Sequence, residues 1–252
     1  RNRRNGSRQV SCGLMSIPGA VLGFAPSGKL ERMGLGGVPN VLHECGWHVD
    51  LHGTTFRPGG WDECFPTIEP FGNYPTMGEL VAHAPTMTWQ DNAVEQVWQR
   101  SAYTARRRFA VVAPTCIHMT FCVTNLASEP IEFLWASHAL FGLTGLRAAH
   151  WQRAEWHSDF AIDGSEKKLF VPGAHTVELV YAGYRLTLTT DQPWWGIWIN
   201  RGGWPADAPA PLWCLGIEAT NTPAEQPEGQ LLAAGATFRG EVKLEVHSEL
   251  PA

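Results

Sequence analysis

The sequence predicts an all-β protein built as a large antiparallel sandwich. Apolar and polar residues alternate over 117–123, Tyr184–Thr190 and 241–247, which is the pattern of half-buried antiparallel strands. Glycine and proline occur 26 and 18 times and separate such segments at short intervals, as turn residues do. The nearest helix candidate, 136–151, contains Gly142 and Gly145 and is therefore disfavoured.

The other strands are predicted from apolar runs bounded by turn residues. They are 41–51, 94–103, 107–113, 131–137, 176–181, 194–200 and 212–220. Because no crossover helices separate them, an antiparallel sandwich is favoured over a βαβ fold. Residues 11–252 contain no internal repeat or linker and are predicted to form one domain. Residues 1–10 are rich in arginine, and we expect a disordered basic arm there.

Composition and charge narrow the classes of partner. The formal net charge of -5 disfavours nucleic acid, whose binding depends on basic patches. No apolar run is long enough to span a membrane. The six cysteines include no CxxC pair, so we expect reduced thiols in a cytoplasmic protein. The basic triplet 106–108 is interpreted as a solvated face or an anion contact, and a homodimer is left open.

A tryptophan-rich stretch, 191–226, surrounds a strand that carries Glu218. Aromatic faces beside a carboxylate suit a sugar cleft, because pyranose rings offer apolar faces for stacking and hydroxyls for acceptors. Alternation along the strand puts Glu218 on one face with Gly216 and Thr220, which leaves room for a ligand. Glu218 is therefore a candidate base, and an ordinary solvated glutamate is the alternative.

Two more segments contain candidate functional residues. In 57–70, Gly59 and Gly60 predict a bend, after which Asp62 and Glu63 could be held over a cleft; a surface turn is the alternative. His138 interrupts the apolar stretch 133–143 and is the residue type best able to exchange a proton near neutral pH. A hydrogen-bonded core histidine is the alternative for His138.

Metal and nucleotide sites have weak support. His48, Asp50 and His52 would share one face of a strand, but the sequence places no fourth ligand and completes no HExxH motif. We therefore expect no metal. Walker, GxGxxG and GxSxG motifs are absent from the sequence, so we expect no nucleotide cofactor and no serine-hydrolase chemistry.

Five segments in this order resemble the galactose mutarotase (aldose 1-epimerase) superfamily, in its divergent branch. They are GGWDECFPTIEP at 59–70, YPTMGEL at 74–80, LWASHALFGL at 134–143, WWGIWINRGGWP at 194–205 and LGIEATN at 215–221. The resemblance covers most of the chain from about 40 to 225 and implies a galactose mutarotase-like antiparallel supersandwich. It also implies a cofactor-free sugar isomerase in which His138 protonates the ring oxygen and Glu218 deprotonates the anomeric hydroxyl. The residues expected to bind the sugar are Arg57, Trp61, Asp62, Glu63, His83, Trp89, Trp195, Trp198 and Asn200.

The chain departs from the family pattern at Met77, where the superfamily usually has a histidine that binds the sugar or assists at the ring oxygen. Methionine has no hydrogen-bond donor. Three alternatives follow: His138 suffices, His83 or another histidine substitutes, or the fold serves another reaction. Pro58 stands where phosphate-binding relatives place an arginine, so a sugar phosphate is not expected.

The sequence thus leaves three functional hypotheses. The first is an aldose 1-epimerase-like isomerase using His138 and Glu218 on a small sugar. The second is a non-catalytic carbohydrate-binding or regulatory protein on the same fold. The third is a lyase or isomerase that uses the same pair on an unusual sugar-derived substrate.

Overall fold

The computed structural model describes residues 13–51, 54–151, 154–156, 162–172, 176–206 and 208–248. The arm expected at 1–10 lies outside them. In chain order the strands are β1 (Gly13–Ile17), β2 (Ala20–Phe24), β3 (Leu30–Leu35), β4 (Val49–Leu51), β5 (Thr54–Phe56), β6 (Trp61–Cys64), β7 (Thr86–Trp89), β8 (Ala93–Gln99), β9 (Tyr103–Ala113), β10 (Cys116–Asn125), β11 (Ile131–Glu132), β12 (Ala136–Gly142), β13 (Leu146–Trp151), β14 (Ala154–Trp156), β15 (Glu166–Pro172), β16 (Val177–Tyr181), β17 (Tyr184–Thr190), β18 (Trp194–Arg201), β19 (Trp213–Thr220), β20 (Leu231–Leu232) and β21 (Thr237–Ser248). One 3₁₀ turn covers Leu80–Ala82.

Two large sheets form the molecule, as an all-β antiparallel sandwich requires. The first has eight strands in the order β1-β2-β3-β6-β12-β19-β18-β15, and the second has nine in the order β14-β13-β16-β17-β21-β10-β9-β8-β7. All registered strand pairs in both sheets are antiparallel. Within the described residues, no helix is long and apolar enough to cross a membrane.

Side-chain alternation fixes which face of each sheet forms the core. On β10 the residues Ile117, Met119, Phe121 and Val123 are all buried, as their period-two spacing predicts. On β19 the residues Leu215, Ile217 and Ala219 point the same way into the space between the sheets. The opposite face of β19 is also buried, because loops cover the outer side of the eight-stranded sheet there.

Several predicted boundaries differ from the structure. Residues 59–70, expected to form a bend with solvated or cleft-facing acids, contain the strand Trp61–Cys64, which is buried on both faces. Strand 41–51 is reduced to Val49–Leu51, and 131–137 divides into β11 and the start of β12. A strand covered on both sides lacks the polar and apolar alternation that marks an exposed sheet face, so Trp61–Cys64 gave no strand signal.

The interpretation of 106–108 as a solvated face or anion contact is wrong for Arg107. Its side chain is 1% exposed and lies between the two sheets. Nε donates to Gln96 Oε1 at 2.7 Å, and Nη2 donates to the Gly28 carbonyl at 2.6 Å. Nη1 lies 3.5 Å from Glu63 Oε1. Arg107 therefore links β9 of one sheet to β6 of the other by an ion pair that water does not reach.

Glu63 is the acceptor at the centre of this buried network. Trp135 Nε1 donates to its Oε2 at 2.7 Å, and Ser137 Oγ donates to its Oε1 at 3.1 Å. Ser137 in turn accepts a hydrogen bond from Trp61 Nε1 at 2.8 Å. Burial raises the pKa of Glu63 to about 7, against the opposing effects of Arg107 and these donors. The network joins β6 to β12 on the core side of the sheet.

Replacing Arg107 with methionine should lower the free energy of unfolding by about 3–5 kcal/mol near pH 8, because Glu63 is then either charged without a partner or must take up a proton, and the hydrogen bonds of the guanidinium are lost. Arg106→Met is the matched control: Arg106 is exposed, and the change should cost less than about 0.5 kcal/mol. Urea denaturation of both variants measures the difference. Equal stabilities for the two variants would remove Arg107 from this role.

Glu63 should also make stability depend on pH. Its folded pKa of about 7 lies above the unfolded value, so its contribution is full below about pH 4.3 and is lost as pH rises through 7. The free energy of unfolding of the parent should therefore decrease between about pH 5 and pH 8. Glu63→Gln does not titrate and should show a shallower decrease. Identical slopes for parent and variant would contradict the assignment.

Candidate active site

A row of side chains crosses the outer face of the eight-stranded sheet. The antiparallel register places His138 of β12 directly opposite Asp62 of β6 on one side and opposite Glu218 of β19 on the other. Glu218 in turn lies opposite Gly196 of β18, which lies opposite Phe170 of β15. Directly paired residues share a face of the sheet, so five strands contribute to one line of side chains.

Glu218 is the most enclosed member of this row. Its side chain is 0% exposed, and both of its oxygens accept hydrogen bonds from Lys168 Nζ, at 2.8 and 2.7 Å. His138 Nε2 lies 3.5 Å from Glu218 Oε1. Lys168 also lies 3.2 Å from Glu225 Oε1 in the segment after β19. The carboxylate is therefore paired with a cation on one side and with an imidazole on the other.

Two glycines create the space that Glu218 occupies. A Cβ atom on Gly216 would lie 3.2 Å from Glu218 Oε1, and one on Gly196 would lie 3.4 Å from Glu218 Oε2. Such contacts are tight enough to displace the carboxylate, since few real Cβ atoms pack so closely. Small residues on the strand itself and on its neighbour thus let a long acidic side chain bend toward Lys168.

His138 lies beside Glu218 in a largely enclosed position, 9% exposed. Burial lowers its pKa below the usual 6.5, and Lys168 acts in the same direction, while Glu218 raises it. Neutral imidazole is therefore the main form near neutral pH, and a smaller fraction carries the extra proton. An imidazole and a carboxylate are thus held side by side, with Nε2 and Oε1 3.5 Å apart.

On the other side of His138, Asp62 pairs with a second lysine. Lys29 Nζ lies 2.8 Å from Asp62 Oδ2, and both side chains are nearly buried. Lys29 also donates to the backbone carbonyl of Arg57. The row therefore ends in a fixed ion pair, which leaves Asp62 with acceptor capacity directed across the sheet face.

Lys29, Asp62, His138 and Lys168 line a cavity of about 280 Å³, here called the cleft, and the fully buried Glu218 lies behind His138 and Lys168. The cleft is lined by Lys29, Phe56, Pro58, Gly59, Asp62, Ile68, Glu69, Thr76, Met77, His138, Leu140, Glu166, Lys167, Lys168, Trp198, Trp204, Leu212 and Glu225. The volume is close to the lower end of the range for small-molecule sites. Aromatic faces and charged groups together give the cleft the character of a site for a small polar ring.

Two tryptophans on the wall of the cleft are held in place by hydrogen bonds. Trp198 Nε1 donates to Glu166 Oε2 at 3.0 Å, and its ring meets that of Trp204 edge to face at 5.5 Å. Asn200 Nδ2 donates to the Trp204 carbonyl at 2.6 Å, and Asn200 Oδ1 accepts from Gly202, Gly203 and Trp204 backbone amides. The position of Trp204 thus depends on one buried amide.

The structure places two of the residues expected to bind a sugar, Asp62 and Trp198, on the cleft. It contradicts that expectation for Trp61, Glu63 and Trp195. These three side chains are buried on the core face of the sheet, where Trp61 packs against Phe109. Residues that alternate along a strand cannot all face one ligand, so the neighbours of Asp62 and Gly196 point away from the cleft.

The other expected contacts also lie apart from the cleft lining. Trp89 is at the edge of the nine-stranded sheet and packs against Phe24. Arg57 pairs with Glu31 near the surface. His83 Nδ1 contacts the Glu79 carbonyl at 2.8 Å at the end of the 3₁₀ turn. None of these three residues lines the cleft, so their binding of a sugar stays a prediction, and Asn200 lies behind Trp204.

Met77 lines the cleft from the segment between β6 and β7. Its φ angle of 66° lies in the left-handed region that few residues other than glycine adopt. Its Sδ atom is 3.6 Å from Cys64 Sγ, and its side chain packs with Ile68 and Leu134. Met77 therefore has apolar surroundings. The alternative that His83 replaces the missing histidine loses support, because His83 lies at the end of the 3₁₀ turn and does not line the cleft.

Lys168 and Lys29 are the functional residues that the sequence analysis missed. The segment Glu166–Pro172 gave no prediction, although alternation in EKKLFVP groups Glu166, Lys168 and Phe170 on one face. Nothing in the local sequence indicates that this strand pairs with β18. The contact between Lys168 and Glu218 therefore depends on the pairing of β15 with β18, which the local sequence does not reveal.

The structure brings no further metal-ligand side chains to the described histidines of segment 43–52. His48 is exposed and lines a shallow groove with Arg57, while His52 lies outside the described residues. Across the part of the chain that the structure covers, no three histidine, cysteine, aspartate or glutamate side chains converge as metal ligands would.

No protein-family model and no curated protein matches the chain. Solved structures do. A galactose mutarotase related enzyme from Lactobacillus acidophilus has a TM-score of 0.68 at 11% identity over 94% of this chain and 98% of its own. A galactose mutarotase-like protein from Lactobacillus casei scores 0.66 at 16% identity over 94% and 100%. Galactose 1-epimerase from Lactobacillus acidophilus scores 0.60 at 12% identity over 92% of each chain. The chain therefore has the galactose mutarotase-like fold.

Proposed function

We propose that the protein is an aldose 1-epimerase-like isomerase that opens and recloses the hemiacetal ring of a small sugar. The observation that carries the proposal is the adjacency of His138, which lines the cleft, and Glu218 directly behind it, whose Nε2 and Oε1 atoms lie 3.5 Å apart. The ring oxygen and the hydroxyl oxygen of a hemiacetal are bonded to the same carbon. An acid and a base held side by side suit two such oxygens.

In the proposed reaction Glu218 accepts the proton of the anomeric hydroxyl. The electron pair of that O–H bond forms the carbonyl as the bond between C1 and the ring oxygen breaks. The ring oxygen takes a proton from the His138 imidazolium. Rotation about the C1–C2 bond presents the other carbonyl face, and reclosure returns the two protons by the same route. General acid and base catalysis of this type contributes about 10²–10⁴-fold, and the step needs no cofactor.

The charges that line the cleft favour an uncharged substrate. Three lysines line it, and four carboxylates do so: Asp62, Glu69, Glu166 and Glu225. Lys29 and Lys168 are already paired with acids at hydrogen-bond distance. A phosphate group would therefore meet an excess of negative charge. This agrees with the absence of an arginine at Pro58 and supports a neutral aldose.

The wall of the cleft supports a pyranose ring. Trp198 and Trp204 present perpendicular rings, and Trp198 stands one alternate position along β18 from Gly196, beside the acid–base pair. Stacking of an apolar ring face on an indole is a favourable contact for a sugar. Asp62 is the group best placed to accept a hydrogen bond from a further hydroxyl.

A non-catalytic carbohydrate-binding protein is the second candidate, and two observations favour it. Met77 provides no proton at the position where the superfamily pattern has histidine, and Lys168 occupies both oxygens of Glu218. Calorimetry combined with polarimetry separates the candidates. Tight binding of an aldose without acceleration of its mutarotation would favour this second function over the first.

Glu218→Gln and His138→Ala should fold like the parent and each lose about 10²–10⁴-fold in the rate of mutarotation, because each removes one proton route. Polarimetry of freshly dissolved α-anomers across a panel of aldoses measures the rate. Lys243→Met is the control, since Lys243 is an exposed residue of the other sheet paired with Glu245. Two variants as fast as the parent would overturn the assignment of the pair.

The pH profile should carry the signature of His138. As an acid it must be protonated, and burial lowers its pKa below 6.5. The protonated fraction therefore falls as pH rises through that value, so kcat/KM should decrease on the basic side with a midpoint below 6.5. Stopped-flow polarimetry from acid to alkaline pH checks this. A rate that stays level from about pH 6 to 9 would exclude His138 as the donor.

A further inference from the structure

Lys168 makes the strongest contact of any group with the candidate base. Its Nζ atom lies 2.8 and 2.7 Å from the two oxygens of Glu218, whose side chain is 0% exposed, and its own side chain is 15% exposed. These distances are those of charge-assisted hydrogen bonds. The contact is made from β15, a strand separated from β19 by β18.

A carboxylate in this position needs a cation to remain charged. Removing an ionised group from water is so costly that an unpaired buried carboxylate takes up a proton instead. A protonated Glu218 could not accept the anomeric proton. The base function therefore requires a group that offsets the loss of hydration while leaving the carboxylate deprotonated.

We propose that Lys168 is a positioning residue that keeps Glu218 ionised and oriented as the base of the acid–base pair. The catalytic meaning of this role rests on the proposed isomerase function. Lys168 acts through Glu218 and does not itself exchange a proton with the sugar. Its ammonium contacts both oxygens and so fixes the plane of the carboxylate. In that orientation Oε1 also lies next to His138 Nε2.

Glu225 gives Lys168 a second partner during the reaction. When Glu218 accepts the anomeric proton it becomes neutral, and its attraction for the ammonium falls. Glu225 Oε1, 3.2 Å from Lys168 Nζ, then balances the lysine charge. Because the ammonium stays in place, it stabilises the Glu218 carboxylate as soon as Glu218 returns its proton to the sugar oxygen, which favours recovery of the base.

The other titratable groups around Glu218 act in different directions. His138 faces it from β12, with Asp62 beyond it on β6. Cys64 of β6 and Cys214 of β19 are buried nearby, and burial together with Glu218 raises the pKa of both thiols, so they stay neutral. β18 contributes Gly196 and Trp198, which do not titrate. Lys168 is thus the cation in direct contact with the carboxylate.

Lys168 is not suited to act as a nucleophile toward the open-chain aldehyde. Burial alone would lower its pKa, but Glu218 and Glu225 outweigh that effect, and the pKa is raised above its usual value. The amine is therefore an ammonium near neutral pH. A Schiff base requires the free amine, so the geometry supports an electrostatic role over a covalent one.

The test compares Lys168→Met with Lys168→Arg, which keeps the positive charge, and with Lys243→Met as a remote control. In Lys168→Met both limbs of the pH profile of kcat/KM should move to higher pH. Glu218 then ionises less readily, and the same ammonium no longer lowers the pKa of His138. On the acid limb kcat/KM should fall about tenfold or more. Lys168→Arg should restore the limbs toward those of the parent.

A readout independent of activity separates this inference from the proposed function. In protein labelled with ¹³C at glutamate Cδ, the Glu218 resonance is assigned by its loss in Glu218→Gln. It should titrate at higher pH in Lys168→Met, or in Lys168→Gln should the methionine variant not fold, than in the parent. An unchanged titration would overturn the role of Lys168 even if mutarotation is found. A shifted titration in a protein without mutarotase activity would instead refute the isomerase while retaining the electrostatic pairing.

Discussion

The buried pair of Arg107 and Glu63 is the constraint on which the position of the site depends. It joins the two sheets where β6 meets β12, and its hydrogen bonds to Trp135 and Ser137 fix both strands from the core side. Buried charges tolerate little displacement, because a broken contact leaves an ion without water. Asp62 precedes Glu63 by one position, and His138 follows Ser137 by one position. The buried network therefore restrains the backbone that positions Asp62 and His138 at the cleft.

Two glutamates, one on each side of the same sheet, are treated differently by their surroundings. Glu63 has an arginine at 3.5 Å and neutral donors, and its pKa is raised. Glu218 has an ammonium bonded to both oxygens at 2.8 Å or less. The first arrangement suits a structural group that can hold a proton, and in the proposed reaction the second supplies a charge partner for a carboxylate that accepts one. Environments that separate two carboxyl groups in this manner are how one fold assigns different tasks to a single residue type.

Alternation in the sequence predicted the antiparallel sandwich, and the pairing of His138 with Glu218 was implied by the resemblance of the ordered motifs to a known family. The sequence did not predict that Trp61–Cys64 is a strand, since burial on both sides removes the alternation. It also misassigned Arg107, whose partners Gln96, Glu63 and Gly28 come from distant parts of the chain. Lys168 was missed for the same reason: strand order across β15, β18 and β19 is a property of the tertiary structure. His138 and Glu218 also lie on different strands, but each lies in a motif of the resembled family, whereas Arg107 and Lys168 lie in none of those motifs.

The register of β12 has a consequence for how this protein can change during evolution. Ser137 binds the core network and His138 faces the cleft, so a slip of β12 by one residue would exchange them and would place imidazole against Glu63. A single-residue insertion or deletion within this strand would therefore disturb the core network and the cleft together. Segments such as 202–206, 208–212 and 65–78 border the cleft from outside the large sheets and carry no such coupling. Substitutions that change the shape of the cleft are thus tolerated best at its rim, while selection for a stable core also preserves the side chains of its floor.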